Sequence, residues 1–141
     1  MKIIRNNSDL VKFKKSSFDK KVSMCHGVFD IVHLGHISHF NYAKKMSDIL
    51  VVSVTTDKFV NKGKDRPIFK IHQRISFLSN LKMIDYLIMS NHETAINNLK
   101  KIKPNFYLKD YEYKKSDITG NISKEINELK KNNGRVIYTK L

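Results

Sequence analysis

The run Ile49-Leu-Val-Val-Ser-Val-Thr55 constrains the fold more than any other stretch of the chain. It is almost continuously apolar and rich in β-branched residues, without the polar alternation of a strand that has one face in water. Such a strand is buried on both faces, which is typical of a parallel sheet covered by helices on each side. We therefore predict an α/β domain.

Segments with strand-like and helix-like patterns alternate on either side of this run. Strands are predicted at Val22–Cys25, Ile49–Thr55, Tyr86–Met89, Phe106–Leu108 and Arg135–Tyr138, and helices at His36–Met46, Phe69–Lys82, His92–Lys101 and Gly120–Lys131. This order predicts a doubly wound, parallel, five-stranded Rossmann-like sheet with helices on both faces. We expect one domain over residues 1–141, with a core at 22–138. Residues 1–20 are expected to be poorly ordered or to extend the edge.

The chain is strongly basic, with 27 Lys and Arg against 13 Asp and Glu and a formal net charge of +14. Such a charge suits a polyanion partner or anionic substrates. The lysines occur in every segment, and aromatic residues do not interleave them as a base-stacking platform would. We therefore favour a solvated basic surface over a nucleic-acid partner.

Cysteine content and hydropathy bear on the compartment. Cys25 is the single cysteine, so an intrachain disulfide and a cysteine metal site are excluded. No apolar run approaches the ~20 residues of a membrane span, and the basic N-terminus lacks the apolar centre of a signal peptide. These features predict a cytoplasmic protein without a membrane segment.

A polar turn separates the first predicted strand from the first predicted helix. Gly27 ends the strand, Val28-Phe29-Asp30 leads onward, and His33-Leu-Gly-His36 falls in the turn and the first helical turn. A helix N-terminus attracts anions through free N–H groups and the helix dipole. Two imidazoles, with Gly35 between them to let a phosphate approach the backbone, would complete a phosphate-binding turn. Ligands of doubly wound sheets bind beyond the carboxyl ends of the strands, where this turn is expected.

The pattern Gly27-x-Phe29-Asp30-x-x-His33-x-Gly35-His36 resembles the G-x-F-D-x-x-H-x-G-H signature of the cytidylyltransferase-like nucleotidyltransferases. That family includes glycerol-3-phosphate and choline-phosphate cytidylyltransferases and the adenylyltransferase half of the ADP-heptose synthases. The resemblance covers about residues 22–138. It continues through Thr56–Gly63 with Arg66-Pro67, which is similar to a subgroup near the heptose adenylyltransferases, and through His72–Arg74 and Lys103–Lys109.

The resemblance implies transfer of CMP or AMP from CTP or ATP to a phosphorylated small molecule, such as a sugar or polyol phosphate, with release of pyrophosphate. CTP is slightly favoured, because most members with this signature transfer cytidylyl groups. A homodimer is expected. Catalytic roles are implied for His33, His36, Lys62 and Arg74, and nucleotide binding for Gly27, Val28, Phe29, Asp30, Gly35, Lys64 and Arg66.

Two further expectations concern the acceptor and the metal. Lys109 and Glu112 are expected to face the acceptor. Magnesium is expected to bridge the phosphates while taking few protein ligands. Asp30 is a candidate ligand, although it could equally cap the turn or the helix.

The chain departs from the family pattern in two places. A K-G-x-D pattern often follows the fourth strand, whereas this chain has Lys109-Asp110-Tyr111-Glu112 and lacks the glycine. A Ser/Thr segment that helps to hold the nucleotide usually follows the fifth strand, and this sequence ends at Leu141. Either the nucleotide-binding segment is missing from this sequence, or the protein works without it. We favour the first, and then expect that the chain binds nucleotide weakly and that the fold survives.

Several alternatives stay open. The domain could be a non-catalytic basic nucleotide-binding or RNA-binding module, or a degenerate regulatory domain, and Lys58–Arg66 could be a plain solvated loop. His26 could contact the nucleotide or serve the structure. A zinc triad of His33, His36 and His39 is disfavoured, because helical residues six apart diverge.

Overall fold

The structure is a computed structural model that describes residues 2–111 and 121–140. Within these ranges it has six strands and five α-helices. In chain order they are β1 (Lys2–Ile4), α1 (Asn7–Ser16), β2 (Val22–Gly27), α2 (Leu34–Met46), β3 (Ile49–Thr55), a 3-10 turn (Asp57–Phe59), α3 (Ile71–Ser79), β4 (Tyr86–Ser90), α4 (Ile96–Ile102), β5 (Phe106–Asp110), α5 (Asn121–Lys130) and β6 (Arg135–Thr139).

The six strands form one parallel sheet in the order β1-β4-β3-β2-β5-β6. Strand β3 is buried along its whole length, as its apolar sequence predicts. Strand β2 pairs with β3 on one side and with β5 on the other, so the strand order reverses at β2. The predicted α/β, doubly wound, Rossmann-like architecture is confirmed.

Helices cover both faces of the sheet and give it two apolar cores. The first core packs α1, α4 and α5 through side chains that include Phe13, Leu99 and Leu129. The second core packs α2 and α3 through side chains that include Phe40 and Leu78. Cys25 lies fully buried in the second core, where burial raises the pKa of its thiol far above the usual range.

The sheet has one strand more than predicted. Strand β1 pairs with β4 in the register Lys2↔Tyr86, at the edge of the sheet. Its three residues are too few to show a strand pattern. Helix α1 then begins with a reciprocal cap, because Asn6 accepts a hydrogen bond from the Asp9 N–H and Asp9 accepts one from the Arg5 N–H.

Helix α2 begins at Leu34, two residues before the predicted start, because the side chain of His33 caps it. The cap therefore comes from the signature itself. Among the described residues, no helix is long and apolar enough to cross a membrane.

Candidate active site

The signature turn lies where the strand order of the sheet reverses. Strand β2 ends at Gly27, and the chain passes through Val28–Val32 to helix α2. Strand β5, the neighbour of β2 on the other side, ends at Asp110. The carboxyl ends of β2 and β5 therefore border the crevice in which open α/β sheets bind ligands.

His33 and His36 form a pair at the N-terminus of α2. The Nδ1 of His33 accepts a hydrogen bond from the Gly35 N–H at 3.1 Å, and the Nδ1 of His36 accepts one from the His33 N–H at 3.1 Å. The two ring centroids are 4.1 Å apart. Because each Nδ1 lone pair is occupied, the ring proton of each neutral imidazole is on Nε2. The pair therefore offers two N–H donors beside a helix N-terminus.

The neutral state of His36 favours the hydrogen bond that its Nδ1 accepts from the His33 N–H. Partial burial, followed by the neighbouring His33 and His39, lowers the pKa of His36 below its ordinary value of 6.5. At neutral pH the ring is therefore uncharged and acts as a hydrogen-bond donor. Doubly protonating it would also place a proton on Nδ1 and break the bond from the His33 N–H.

The two signature glycines make room for rings of the same turn. A Cβ on Gly35 would lie 2.8 Å from Cε1 of His33, so the glycine allows the imidazole to fold back over its own cap. A Cβ on Gly27 would lie 2.9 Å from Cζ of Phe29. The Phe29 ring in turn packs edge-on against His36, with centroids 5.6 Å apart. Both glycines therefore support the position of the histidine pair, a need the sequence analysis did not foresee.

Asp30 joins the turn to the segment that precedes α3. Its side chain is only 2% exposed and accepts hydrogen bonds from the N–H groups of Ile68 and Phe69, at 2.7 and 2.8 Å, and from Nε of Arg66 at 2.9 Å. Burial by itself would raise the pKa of Asp30, but the bonds from Phe69, Ile68 and Arg66 outweigh it and hold the pKa below 3.8. Asp30 is thus an ionised anchor.

Arg74 performs a similar task from the first turns of α3. Its guanidinium is 1% exposed. It donates to the carbonyl oxygens of Phe69, Val28 and Thr55 at 2.7–2.8 Å and to the carboxylate of Asp57 at 2.6 Å. Four of its five N–H donors are therefore committed to the protein. The predicted contact of Arg74 with triphosphate stays a prediction, and the geometry shows a residue that holds two loops together.

The two loop lysines are placed differently from Arg74. Lys62 and Lys64 are exposed on either side of Gly63, which has a φ of 106°. Neither forms a hydrogen bond or an ion pair with any residue in the described ranges. Their charges are therefore available to an anion, whereas that of Arg66, 35% exposed, is shared with Asp30.

Lys109 projects from the end of β5 into a buried polar cluster. Its Nζ lies 3.6 Å from Glu125 of α5, and its side chain is 13% exposed. Glu125 also accepts hydrogen bonds from the Tyr107 hydroxyl at 3.0 Å and the Ala95 N–H at 3.3 Å. Glu112, the other predicted acceptor residue, lies outside the described residues.

The cytidylyltransferase-like family profile matches residues 24–140, which include the turn, the loop and all strands except the edge strand β1 and the first residues of β2. The chain belongs to the cytidylyltransferase-like family. The bifunctional protein HldE of Helicobacter hepaticus is 35% identical over 121 residues, which cover 84% of this chain and 25% of that protein. The bifunctional protein HldE of Blochmanniella floridana is 39% identical over 103 residues, which cover 72% of this chain and 22% of that protein. The chain thus spans about a quarter of these curated relatives.

Solved structures agree with this family assignment. The lipopolysaccharide core biosynthesis protein from Thermoplasma volcanium superposes with a TM-score of 0.68 at 28% identity, covering 86% of this chain and 96% of that one. Pantothenate synthetase from Thermus thermophilus also has a TM-score of 0.68, but at 12% identity it shares only the fold. It covers 99% of this chain and 62% of that one.

The contacts of Asp30 indicate whether its carboxylate could bind magnesium. Three donors take three of the about four lone-pair positions of the Asp30 carboxylate, and the side chain is only 2% exposed, so the carboxylate has little access to a metal ion. Within the described residues, no group of three His, Cys, Asp or Glu side chains is arranged to hold a metal ion. The protein side of the site therefore does not fit a resident metal at Asp30, and the phosphates are the better ligands.

Among the described residues, two of the cavities beside the sheet have no lining from His33 or His36. The larger, of about 370 Å³, is lined by Phe29, Asp30, Ile31, Val32, Phe69, Gln73, Arg74 and Phe77. The other, of about 150 Å³, lies at the edge near β1. The walls of the larger cavity are mainly apolar and suit an apolar group.

The sequence analysis missed Asp57 and Ser53 as partners of site residues. Asp57 pairs with Arg74 across 17 residues of sequence, and no local pattern announces that pair. Ser53 did carry a signal, because it is a polar residue within a run that is otherwise buried and apolar. Its hydroxyl contacts Nδ1 of His26 at 2.8 Å.

Proposed function

We propose that this domain is a nucleotidyltransferase. It moves a CMP or AMP group from CTP or ATP to a phosphorylated small molecule and releases pyrophosphate. The observation that supports this most strongly is the His33–His36 pair, whose Nδ1 atoms are both occupied by backbone N–H groups. Two Nε2–H donors at a helix N-terminus suit a phosphate oxygen.

The chemistry of the transfer fits donors that are not bases. An oxygen of the acceptor phosphate attacks the α-phosphorus, a new P–O bond forms, and the bond to the pyrophosphate leaving group breaks. The attacking oxygen is already ionised near neutral pH, so no side chain has to remove a proton. His33 and His36 then act by hydrogen bonding to the oxygens that gain charge in the transition state.

The loop after β3 would neutralise the leaving group. Lys62 and Lys64 are exposed, basic and without partners among the described residues, so the β- and γ-phosphates can recruit them without breaking an existing ion pair. Arg74 contributes by holding Val28 of the turn and Asp57 of the loop in one arrangement. Magnesium, bound to the phosphates, would supply further charge neutralisation.

The nucleotide base, the acceptor and the assembly state belong to the same proposal. The family description supports CTP, whereas the similarity of the Thr56–Pro67 segment to the heptose adenylyltransferases supports ATP. Sugar phosphates, polyol phosphates and phosphorylated amino alcohols are the acceptor classes. The homodimer and the cytoplasmic location stay predictions, and analytical ultracentrifugation tests the homodimer.

Pyrophosphate release tests the transfer itself. The chain is assayed with CTP and with ATP, plus magnesium, against a panel of the three acceptor classes. Release that needs both a nucleotide and one acceptor supports the proposal, and the nucleotide with the larger kcat/KM identifies the base. The variant His36→Ala is assayed in the same way and should release pyrophosphate more slowly. His72→Ala, which removes an exposed histidine on α3, is its control. Nucleotide binding without turnover on any acceptor would contradict the transferase and favour a regulatory domain.

A further inference from the structure

A row of three polar side chains leads from the site into the protein on the sheet face that α1, α4 and α5 cover. His26, the residue before Gly27, is the register partner of Ser53 on β3. Asn98 of α4 lies behind Ser53. The distances are 2.8 Å from His26 Nδ1 to Ser53 Oγ and 2.8 Å from Asn98 Nδ2 to Ser53 Oγ. Ser53 and Asn98 are almost completely buried, at 0% and 3% exposed.

The direction of these hydrogen bonds follows from the far end of the row. Asn98 Nδ2 also lies 3.2 Å from the carbonyl oxygen of Met89. A carbonyl can only accept, so the amino group and not the amide oxygen must face Met89 and Ser53. One amino hydrogen goes to Met89 and the other to Ser53. The Ser53 oxygen is thus an acceptor towards Asn98.

The Ser53 hydroxyl hydrogen then determines the tautomer of His26. Among the described residues, the structure gives this hydroxyl no partner other than Asn98 and His26. Its hydrogen therefore goes to His26 Nδ1, and the imidazole carries its own proton on Nε2. Burial, followed by the charge of Lys109, lowers the pKa of His26 to about 3, so the ring stays neutral at physiological pH.

We propose that Ser53 and Asn98 are positioning residues that hold His26 as the neutral Nε2–H tautomer, so that His26 donates a hydrogen bond to an anionic oxygen of the acceptor. This rests on the proposed transferase function. His26 lies at the carboxyl end of β2, where β2 borders β5, and it is only partly buried. Lys109, close enough to act on its pKa, lies on the same face of the sheet and is itself paired with Glu125 at 3.6 Å. His33 and His36 lie at the start of helix α2, which follows the same strand.

A neutral donor of fixed tautomer has a clear chemical advantage at this position. The charge of a histidine that titrated near neutral pH would change with small changes in pH, and its affinity for an anion would change with it. A ring whose Nδ1 is occupied by a buried hydroxyl presents one N–H throughout the neutral pH range. The structure thus assigns the contact with the acceptor to a group that neither gains nor gives up a proton.

Long-range ¹H–¹⁵N correlation of the imidazole nitrogens reads the tautomer directly in the wild-type protein. We expect a protonated Nε2 and a bare Nδ1 on His26, unchanged between about pH 5.5 and about pH 8. Titration with inorganic phosphate, in the presence of a non-hydrolysable α,β-methylene nucleotide, should shift the Nε2–H signal. An Nδ1–H tautomer, or no response to phosphate, would overturn the proposal even if the protein is an active transferase.

Steady-state kinetics add a matched pair of variants. Ser53→Ala removes the hydroxyl that bonds to His26 and should raise the acceptor KM about tenfold, with the nucleotide KM changed less than about twofold. Ser23→Ala is the control, because it removes a buried β2 hydroxyl that has no hydrogen-bond partner in the described part of the chain. His26→Leu should reproduce the defect, and His26→Gln, which keeps an N–H donor, should largely restore the acceptor KM.

The two sets of measurements separate this inference from the proposed function. Absence of pyrophosphate release by the wild type would refute the transferase, while the tautomer and the phosphate response could still be read. Normal release with an unchanged acceptor KM in Ser53→Ala would refute the positioning role alone. A fall in the free energy of unfolding without a change in tautomer would show that Ser53 serves only the fold.

Discussion

The turn after β2 and the loop after β3 differ in how much of their polar chemistry the protein uses internally. In the turn, both imidazoles and Asp30 are bonded to backbone groups, and Phe29 packs against His36. In the loop, Lys62 and Lys64 are exposed, and only its ends are tied down. Under the proposed function, the turn would be preorganised for the atoms that react, whereas the loop would supply charge that becomes ordered when an anion binds.

Two buried charges connect these unlike regions. Arg74 bonds the carbonyl of Val28 in the turn and the carboxylate of Asp57 in the loop, and Asp30 bonds Arg66 and Ile68 at the far end of the loop. The loop is thus free in its middle and fixed at both ends. A rigid turn and an adaptable loop can coexist because the connections between them are buried and ionic.

The largest effect is expected when the arginine connection is broken. Arg74→Met leaves the carbonyls of Val28 and Thr55 without their donor, and we expect the free energy of unfolding to fall by about 3–5 kcal/mol. Urea denaturation measures it, with Arg135→Met, an exposed arginine on β6, as the control. A stable Arg74→Met that binds nucleotide poorly would instead support a direct contact with the triphosphate.

Loss of the histidine donors should affect rate more than stability, although His33→Ala also removes the cap of α2. Either His33→Ala or His36→Ala is expected to lower kcat by ~10²-fold, since each donor acts on charge that develops in the transition state. His33→Asn separates the two duties of that residue, because asparagine caps helices well. It should keep the stability of the wild type while losing activity. Near-normal turnover in both alanine variants would exclude the pair from catalysis.

The stability that Asp30 contributes to the fold is expected to depend on pH. Its pKa is depressed in the folded protein, so its ionised form stabilises the fold above the ordinary pKa of 3.8, and that stabilisation is lost as pH falls below it. We expect Asp30→Asn to cost about 1–3 kcal/mol at neutral pH, and the difference from wild type to shrink below about pH 4. Urea unfolding at the two pH values measures this. If the difference in unfolding free energy between wild type and Asp30→Asn did not change with pH, the charge of Asp30 would not be the cause of the stabilisation.

The smallest effects should come from the loop lysines. Lys62→Ala or Lys64→Ala is expected to weaken nucleotide binding about five- to tenfold, to leave the unfolding free energy unchanged, and to act less at high salt. Calorimetric titration of CTP and ATP measures the affinity. Lys12→Ala, an exposed lysine of α1, serves as the control. Equal affinities in all three variants would make the loop an ordinary solvated segment.

The order of most elements follows from local sequence, although the limits of every predicted element except β3 differ by one to four residues. Strand β3 spans Ile49–Thr55, as its apolar run predicts, and the parallel sheet follows from the burial of both its faces. Strand β1 was harder to predict from the sequence, because it has only three residues and is ordered by its pairing with β4. The clue available was the Asn6–Asp9 cap, with Leu10 and Phe13 at helical spacing behind it.

The candidate site was predicted in its positions and only partly in its contacts. The histidines lie at a helix start because that pattern is local. The partners of Asp30 lie 36 to 39 residues away, and Arg74 reaches a carbonyl 46 residues away. Such pairs depend on how the loops meet after the sheet has formed. The purpose of Gly35 was also hidden, since the ring that needs its space belongs to a neighbouring residue.

Cys25 has a practical consequence for experiments on this protein. Its thiol is fully enclosed and its pKa is raised by burial, so thiolate-directed reagents should not modify it while the protein is folded. A cysteine introduced at the exposed position 64 would then be the sole labelling site. A fluorophore there could report the ordering of the loop in real time, with the native sequence otherwise untouched.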